Sequence, residues 1–318
     1  MEKFQIRTDL ALEARERFEE DDVEIPGVKI HEEYREKTDI RVTKVVIETE
    51  KGSKVMGKPR GIYLTLEAPN MSVPDEGYHR EISRELAAQI EKLMGNKEEE
   101  RSVLVVGLGN REVTPDALGP DVVGNLLITR HIINEYGKVA MEKDKVNKIS
   151  AIVPGVMAQT GMETLEILQG IVEQTKPDLM IVVDALAARS TKRLNRTIQI
   201  SDAGINPGSG VGNHRQALTR ETLGIPVIAI GVPTVVDAAT IVNDTMESLV
   251  EAMSQAESLK NLGYTLSQLD ASEKYQLIRE LISPQLNGMF VTPKDIDETV
   301  KRIGFTISEG INMALQIG

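Results

Sequence analysis

From residue 101 onward, short runs of Val, Ile and Leu alternate with longer amphipathic segments. The apolar runs, which predict strands, are at 102–106, 149–153, 179–183, 197–201 and 226–230. The amphipathic segments, which predict helices, are at 119–136, 163–174, 238–259, 272–282 and 293–317. Because such alternation is typical of a parallel sheet covered on both faces, it predicts an α/β protein with a three-layer α/β/α fold and a mostly parallel central sheet.

The residues before this core have a different pattern. Alternating residues at 40–48 and 62–67, on either side of a turn that contains Gly and Lys, predict an antiparallel β-hairpin. Apolar residues at helical spacing predict a helix at 76–94. The charged stretch after this helix predicts an internal boundary, so that residues 10–100 form an N-terminal β/α extension packed on an α/β core at 101–318.

The composition excludes several classes of function. The 318-residue chain contains no Cys, which removes disulfides, thiolate metal sites and cysteine nucleophiles. A formal net charge of -12 and an aromatic content of 3% argue against direct nucleic-acid binding, which depends on Lys and Arg contacts and on stacking platforms. The sequence has neither an apolar signal segment nor an apolar run of about 18 residues. We therefore expect a cytoplasmic protein with no membrane partner.

Two of the predicted strands lead into an aspartate. The segment that begins at Val103 reaches Asp116, and the run 179–183 is followed directly by Asp184. Because side chains beyond the carboxyl ends of neighbouring strands meet in one crevice of an open α/β sheet, the two acids are predicted to form a pair. A helix-capping role for Asp116 and a capping or turn role for Asp184 are the structural alternatives.

A close pair of carboxyl groups has a specific chemical use. Both members cannot ionise cheaply, so one keeps its proton while the other stays charged. The charged member can take a proton from water, and the neutral member can donate one to a carbonyl oxygen. Asp116 and Asp184 therefore predict a peptide-hydrolysing aspartate dyad without a cofactor, in which either residue could be the base. Asn110 and Thr114 are predicted to support the pair.

Other chemistries compete with the dyad. The segment GLGN after the first core strand begins a dinucleotide fingerprint, but Glu112 stands where the third glycine is required. The Gly-rich segment 206–213 could bind an anion or supply a serine nucleophile beside His214, although the GxSxG elbow is absent. A metal ion held by the two aspartates and His214 is a further alternative. The zinc-peptidase motif HExxH is absent.

Five segments taken together are more specific than any single spacing. They resemble the germination protease family of endospore-forming bacteria, which are peptidases that degrade small acid-soluble spore proteins. The resemblance covers almost the whole chain. The segments read GLGNREVTPDALGP, VPGVMAQTG, IVVDALAAR, ISDAGINPGSGVGN and IPVIAIGVPTVVDA.

The resemblance implies a role for both acids. The proposed catalytic aspartates of that family lie in the segments that match Asp116 and Asp184. It also implies a homotetrameric endopeptidase of the forespore and spore core, which cleaves small acid-soluble spore proteins after an acidic residue that precedes Ile or Phe and then Ala. More distantly, the GLGN and VVDA segments are similar to hydrogenase-maturation endopeptidases, which bind a metal through the corresponding acids. A metal-dependent endopeptidase and a non-enzymatic nucleotide or anion sensor are the alternatives.

The resemblance also gives the N terminus a role. Members of the family are made as zymogens that remove a short leader themselves, and residues 9–13 read DLALE, which has the form of a family cleavage site. We therefore expect self-cleavage between Asp9 and Leu10, with residues 1–9 as the propeptide and 101–318 as the peptidase core. An N-capped helix at the same residues is the structural alternative.

Overall fold

A computed structural model describes residues 25–95, 100–141, 145–208, 215–256 and 288–315. Its strands are β1 (Val28–Arg35), β2 (Ile40–Ile47), β3 (Gly61–Glu67), β4 (Ser102–Gly107), β5 (Lys148–Ile152), β6 (Leu179–Ala188), β7 (Thr197–Ser201), β8 (Val227–Asp237) and β9 (Phe290–Val291). They form one mixed sheet in the order β1-β2-β3-β7-β8-β6-β4-β5, with β9 paired to the C-terminal end of β8.

Helices lie between these strands. They are α1 (Glu50–Met56), α2 (Glu76–Met94), α3 (Leu118–Gly124), α4 (Arg130–Tyr136), α5 (Met157–Thr160), α6 (Thr164–Thr175), α7 (Arg220–Leu223), α8 (Ala238–Gln255) and α9 (Ile296–Ala314). The helices predicted at 76–94, 163–174, 238–259 and 293–317 are confirmed with small shifts of their ends. The helix predicted at 272–282 lies outside the described residues.

The α/β fold with helices on both faces of a central sheet is confirmed. Parallel pairing links β5, β4, β6 and β8, whereas β7 pairs antiparallel with β8. The reason is the short connection before β7, because a parallel crossover needs about a dozen residues or more and only residues 189–196 separate β6 from β7. Strands β1 to β3 continue the sheet from β7 through further antiparallel pairs.

The N-terminal strands β2 and β3 pair antiparallel, as the sequence predicts. Their connection contains helix α1 rather than a simple turn. The helix begins where Thr49 Oγ1 accepts a hydrogen bond from the Gly52 backbone N–H at 3.1 Å, and it ends at Gly57, whose φ is 64°. The predicted internal boundary falls largely on residues outside the described ranges, so the division at residue 100 stays a prediction.

The helix predicted at 119–136 is wrong in its continuity, because it consists of the two short helices α3 and α4. Between them, the Leu127 backbone N–H donates to Asn312 Oδ1 at 3.1 Å. The Thr129 hydroxyl donates to the carbonyl oxygen of Asn147 at 2.5 Å. These contacts with distant residues replace helical hydrogen bonds, and the spacing of apolar residues carries no information about them.

Each face of the sheet packs against its own hydrophobic core. Along β4, Val103 and Val105 belong to the core formed with α2, α3 and α9, whereas Leu104 and Val106 belong to the core formed with α6 and α7. Each fully buried aliphatic side chain contributes about 1.5–3 kcal/mol, so burial on both faces accounts for the uninterrupted apolar run. Within the described residues, every helix is too short or too polar to cross a membrane.

Candidate active site

The aspartate that follows the second apolar run lies inside a longer strand. Strand β6 continues to Ala188, so the prediction that the strand ends before Asp184 is wrong. The neighbouring strand β4 does end at this level, since its last residue, Gly107, pairs with Val183. On its other side Asp184 pairs with Gly231 of β8. The carboxyl group is therefore the first side chain of β6 beyond the carboxyl end of β4.

Asp184 is buried, with 5% of its surface exposed. Its Oδ1 accepts a hydrogen bond from the backbone N–H of Ala185 at 3.0 Å. A turn does not account for the residue, because the strand continues on both sides of it. An ionisable group costs free energy in an apolar central strand unless it is paired or hydrogen-bonded, so its presence there calls for a compensating contact or a chemical use.

Asp116 lies on the 3-10 turn Thr114–Asp116, between β4 and α3. Its Oδ2 accepts a hydrogen bond from the backbone N–H of Asn110 at 2.7 Å. Burial raises the pKa of Asp116 above its ordinary value, and the hydrogen bond from Asn110 opposes that increase. The N-cap of α3 is Ala117 rather than Asp116. The capping alternative is therefore wrong, and the environment of Asp116 favours the protonated carboxyl group.

The glycines of the GLGN segment allow the strand end to approach this turn. A Cβ atom on Gly107 would lie 2.2 Å from the carbonyl oxygen of Gly119, at the start of α3. Gly109 has a φ of 108°, and a Cβ atom there would lie 1.9 Å from the carbonyl oxygen of Asp116. Glycine is thus required at Gly109 for close packing against Asp116, and at Gly107 for close packing against the start of α3. This packing accounts for the glycines without a bound nucleotide.

Both aspartates line the same cavity, whose volume is about 440 Å³. This volume lies within the range of ligand pockets, about 300–1,000 Å³. The charged residues among the described lining are Asp116, Asp184 and Arg215. Apolar side chains make up much of the remaining wall, among them Leu108, Val113, Met157, Leu186, Val235 and Phe290. The cavity therefore combines two aspartates and one arginine with an apolar surface for a substrate.

The two residues predicted to support the pair contact the Asp116 turn in different ways. Asn110 donates its backbone N–H to Asp116, and its Oδ1 accepts a hydrogen bond from Gln159 Nε2 at 3.0 Å. Asn110 therefore also links the loop after β4 to helix α5 by a hydrogen bond. Thr114 acts through its backbone, because its carbonyl oxygen accepts a hydrogen bond from the N–H of Ala117 at 3.1 Å. This bond closes the turn.

Thr234 stabilises the Asp116 turn, a role that the sequence alone did not predict. Its hydroxyl donates a hydrogen bond to the carbonyl oxygen of Pro115 at 2.6 Å. The pairing of β8 with β6 shifts register at this point, which leaves Thr234 in a β-bulge. Bulges re-aim side chains and are frequent next to active sites. Pro233 inside an otherwise apolar run is the local feature that could have indicated the bulge.

Arg215 brings a positive charge to the cavity, and it too was not predicted. Its Nη1 lies 3.3 Å from Sδ of Met157 and 3.6 Å from Oε1 of Glu163. Because Met157 is 58 residues away in the sequence, no local pattern could have indicated this contact. The guanidinium group is partly exposed, with 31% of the side chain accessible.

Some predicted residues lie outside the described ranges. They are Asp9 and Leu10 of the predicted processing site, and His214 with most of the Gly-rich segment before it. Among the described residues, no group of three or more His, Asp or Glu side chains is arranged to hold a metal ion. The alternative of a metal ion held by both aspartates and His214 is not tested by these residues.

Comparison with known proteins gives matches over nearly the whole chain. The family model described as germination protease matches residues 6–261 and 248–317. The chain is 52% identical to a germination protease of Caldanaerobacter subterraneus subsp. tengcongensis, over 98% of this chain and 95% of that protein. It is 48% identical to a germination protease of Clostridium perfringens, over 98% of this chain and 96% of that protein.

A solved structure also matches part of the chain. It is a NiFe hydrogenase maturation protease, HycI, from Thermococcus kodakarensis KOD1, which matches at 20% identity over 46% of this chain and 80% of that chain. The TM-score is 0.28, and a value this low supports no conclusion about fold or function.

Proposed function

Since the chain belongs to the germination protease family, we propose that it is an endopeptidase that degrades small acid-soluble spore proteins by means of a water molecule activated by Asp116 and Asp184. Membership of this family makes the chain a peptidase. The observation that supports the aspartic mechanism is the cavity, because both aspartates line one largely apolar space.

In the proposed mechanism the two carboxyl groups share one proton. We assign it to Asp116, whose pKa burial raises above its ordinary value. Asp184 then takes a proton from the water that attacks the carbonyl carbon of the cleaved bond, while Asp116 donates its proton to the carbonyl oxygen. When the tetrahedral intermediate breaks down, the amine leaves with a proton that the pair returns. The singly protonated pair is the working form, so mild acid favours activity.

We extend the proposal to the biological setting that the sequence resemblance implies. The enzyme is made as a zymogen, removes residues 1–9 by cleavage between Asp9 and Leu10, and works as a homotetramer in the forespore and spore core. It cleaves its substrates after an acidic residue that precedes Ile or Phe and then Ala. The support for these points is the close identity with germination proteases over 98% of the chain.

The experiment that tests the mechanism compares three full-length variants, Asp116→Asn, Asp184→Asn and Asp121→Asn. Asp121 lies on α3 and does not line the cavity, so it controls for the loss of a nearby carboxylate. The rate of self-processing is followed by N-terminal sequencing, and cleavage of a spore protein that contains Glu-Ile-Ala is followed by mass spectrometry.

Both cavity variants should lose at least about 100-fold in rate, because an amide can neither take up nor supply the proton. The Asp121→Asn control should keep the parental rate. Parental cleavage by either Asp116→Asn or Asp184→Asn would show that the dyad mechanism is wrong.

Chelation separates the aspartic mechanism from the metal-dependent alternative. Treatment with EDTA, followed by removal of the chelator, should leave the rate of peptide cleavage unchanged. A loss of activity that Zn²⁺ or another divalent ion restores would favour a peptidase in which the same acids hold a metal.

A further inference from the structure

Arg215 is the only basic residue among the described residues that line the cavity. It lies on the cavity wall between Met157 of α5 and Glu163, which is the N-cap of α6. The position is distinct from the supports of the Asp116 turn, because neither contact of Arg215 involves that turn. Its presence in a cavity with two acids therefore needs an explanation of its own.

The described contacts of Arg215 leave much of the guanidinium group available to a ligand. Both contacts use Nη1, and the distance of 3.6 Å to Glu163 Oε1 exceeds that of a normal N–H···O hydrogen bond, about 2.7–3.2 Å. A partly exposed ion pair of this kind contributes little to stability. Nε and Nη2 contact no polar group of another described residue. A carboxylate bound by a guanidinium through two parallel hydrogen bonds is the ligand that fits these donors.

We propose that Arg215 binds the acidic side chain of the substrate residue that precedes the cleaved bond, and that it thereby determines the preference of the enzyme for an acid at this position. The inference rests on the proposed function, because it assigns a residue to the recognition of that substrate. Arg215 is a specificity residue in this scheme and takes no part in proton transfer.

The charges of the cavity support this role. One carboxylate of the pair is ionised in its working form. A substrate carboxylate that enters the same partly desolvated space is repelled by this charge. A guanidinium group in the cavity offsets the repulsion and adds charge-assisted hydrogen bonds. An uncharged substrate side chain gains at most a weaker hydrogen bond from Arg215, and a Lys side chain is repelled by it.

The test is a cycle of two enzymes and two substrates. Wild-type enzyme and the Arg215→Gln variant each cleave two peptides that differ only in Glu or Gln before the cleaved bond, with kcat/KM as the readout. The wild type should prefer the Glu peptide by about 10- to 100-fold, which is the scale of a hydrogen bond to a charged group. The variant should cleave the Gln peptide at the rate of the wild type and the Glu peptide no faster than the Gln peptide, because the repulsion from the ionised aspartate is no longer offset.

Two further variants test whether the preference depends on the position and on the shape of the Arg215 side chain. Arg220→Gln, an exposed position on α7 outside the cavity lining, should keep the parental preference for Glu. Arg215→Lys should restore part of the preference, because it keeps the charge but lacks the planar fork that binds a carboxylate through two hydrogen bonds. Thermal unfolding of each variant shows whether the fold is intact.

An Arg215→Gln variant that keeps the wild-type ratio of Glu to Gln cleavage overturns the proposal. Equal loss on both peptides also overturns it, because it indicates a structural role. If the wild type cleaves neither peptide nor a spore protein, the proposed function itself fails, and this outcome differs from both of the others.

Discussion

The two carboxyl groups of the cavity are held by different kinds of structure. Asp184 lies within β6, where backbone pairing with β8 continues on both sides of it. Asp116 lies on a turn whose position depends on the hydrogen bond from Asn110, the hydroxyl of Thr234 and the close backbone contact at Gly109. A strand inside a packed sheet resists displacement, whereas a short turn can move when one contact is lost. Small changes should therefore disturb Asp116 more than Asp184.

Gly109→Ala tests the turn directly and should have the largest effect. Its new Cβ atom would lie 1.9 Å from the carbonyl oxygen of Asp116, at a backbone φ of 108° that L residues rarely adopt. The turn must move, and a shift of about 1 Å in a catalytic group can cost about 100-fold in rate. We expect kcat/KM for a spore-protein substrate to fall by at least that factor.

Gly231→Ala is the matched change beside Asp184. A Cβ atom on Gly231 would lie 2.4 Å from Cδ1 of Leu186, so the clash is with a side chain rather than with backbone. A side chain can change its rotamer, and the backbone of β6 can stay in place. We expect a clearly smaller loss of activity than for Gly109→Ala. Equal losses in the two variants would contradict the difference between strand and turn.

The sheet and the position of both acids at one cavity were predictable from local patterns in the sequence. The runs 102–106 and 179–183 are uninterrupted since their side chains alternate between two hydrophobic cores. Asp116 and Asp184 line one cavity because both lie beyond the carboxyl end of β4, at the edge where ligands bind in open α/β sheets. Neither inference needed knowledge of a distant contact.

The features that sequence did not predict depend on which strands are neighbours. The charge at Asp184 indicated a strand end, but only the adjacent strand β4 ends there. The role of Thr234 depends on the register of β8 against β6. Arg215 reaches the cavity through contacts with residues far away in the chain. Pairing register and tertiary contact have no local pattern, so these residues required a structure.

Thr234→Val should have the next largest effect, because it removes one support of the turn and keeps the shape of the side chain. The carbonyl oxygen of Pro115 loses a hydrogen bond of 2.6 Å. We expect the free energy of unfolding to fall by about 1 kcal/mol. If the displacement of Asp116 raises the activation free energy by a similar amount, kcat/KM falls by roughly tenfold. Chemical denaturation and steady-state kinetics measure the two effects.

The control for this change is Thr65→Val in β3. Thr65 is also buried, but its hydroxyl has no hydrogen-bond partner among the described residues. Replacement of an unsatisfied hydroxyl by a methyl group should leave stability unchanged or increase it, with no change in activity. A loss of activity in Thr65→Val equal to that in Thr234→Val would show that a general effect on packing, rather than the turn, is responsible.

The smallest expected effect is a pH-dependent difference in stability between Asp116→Asn and the parent. It tests the burial of Asp116 independently of catalysis. Burial raises the pKa of Asp116 in the folded protein, so the folded state binds a proton that the unfolded chain releases near the ordinary Asp pKa of about 3.9. Stability therefore falls as pH rises from this value through the raised pKa. The Asn side chain of Asp116→Asn cannot ionise, so this variant does not lose stability over this pH range.

The melting temperature of Asp116→Asn should thus exceed that of the parent near pH 7, although we expect the variant to be inactive, and the difference should disappear near pH 3, where Asp116 is protonated in both states. A difference that stays constant between these pH values would show that Asp116 is not destabilised by burial. The turn would then hold an ordinary ionised carboxylate, and its raised pKa could no longer be the reason to assign the shared proton to Asp116.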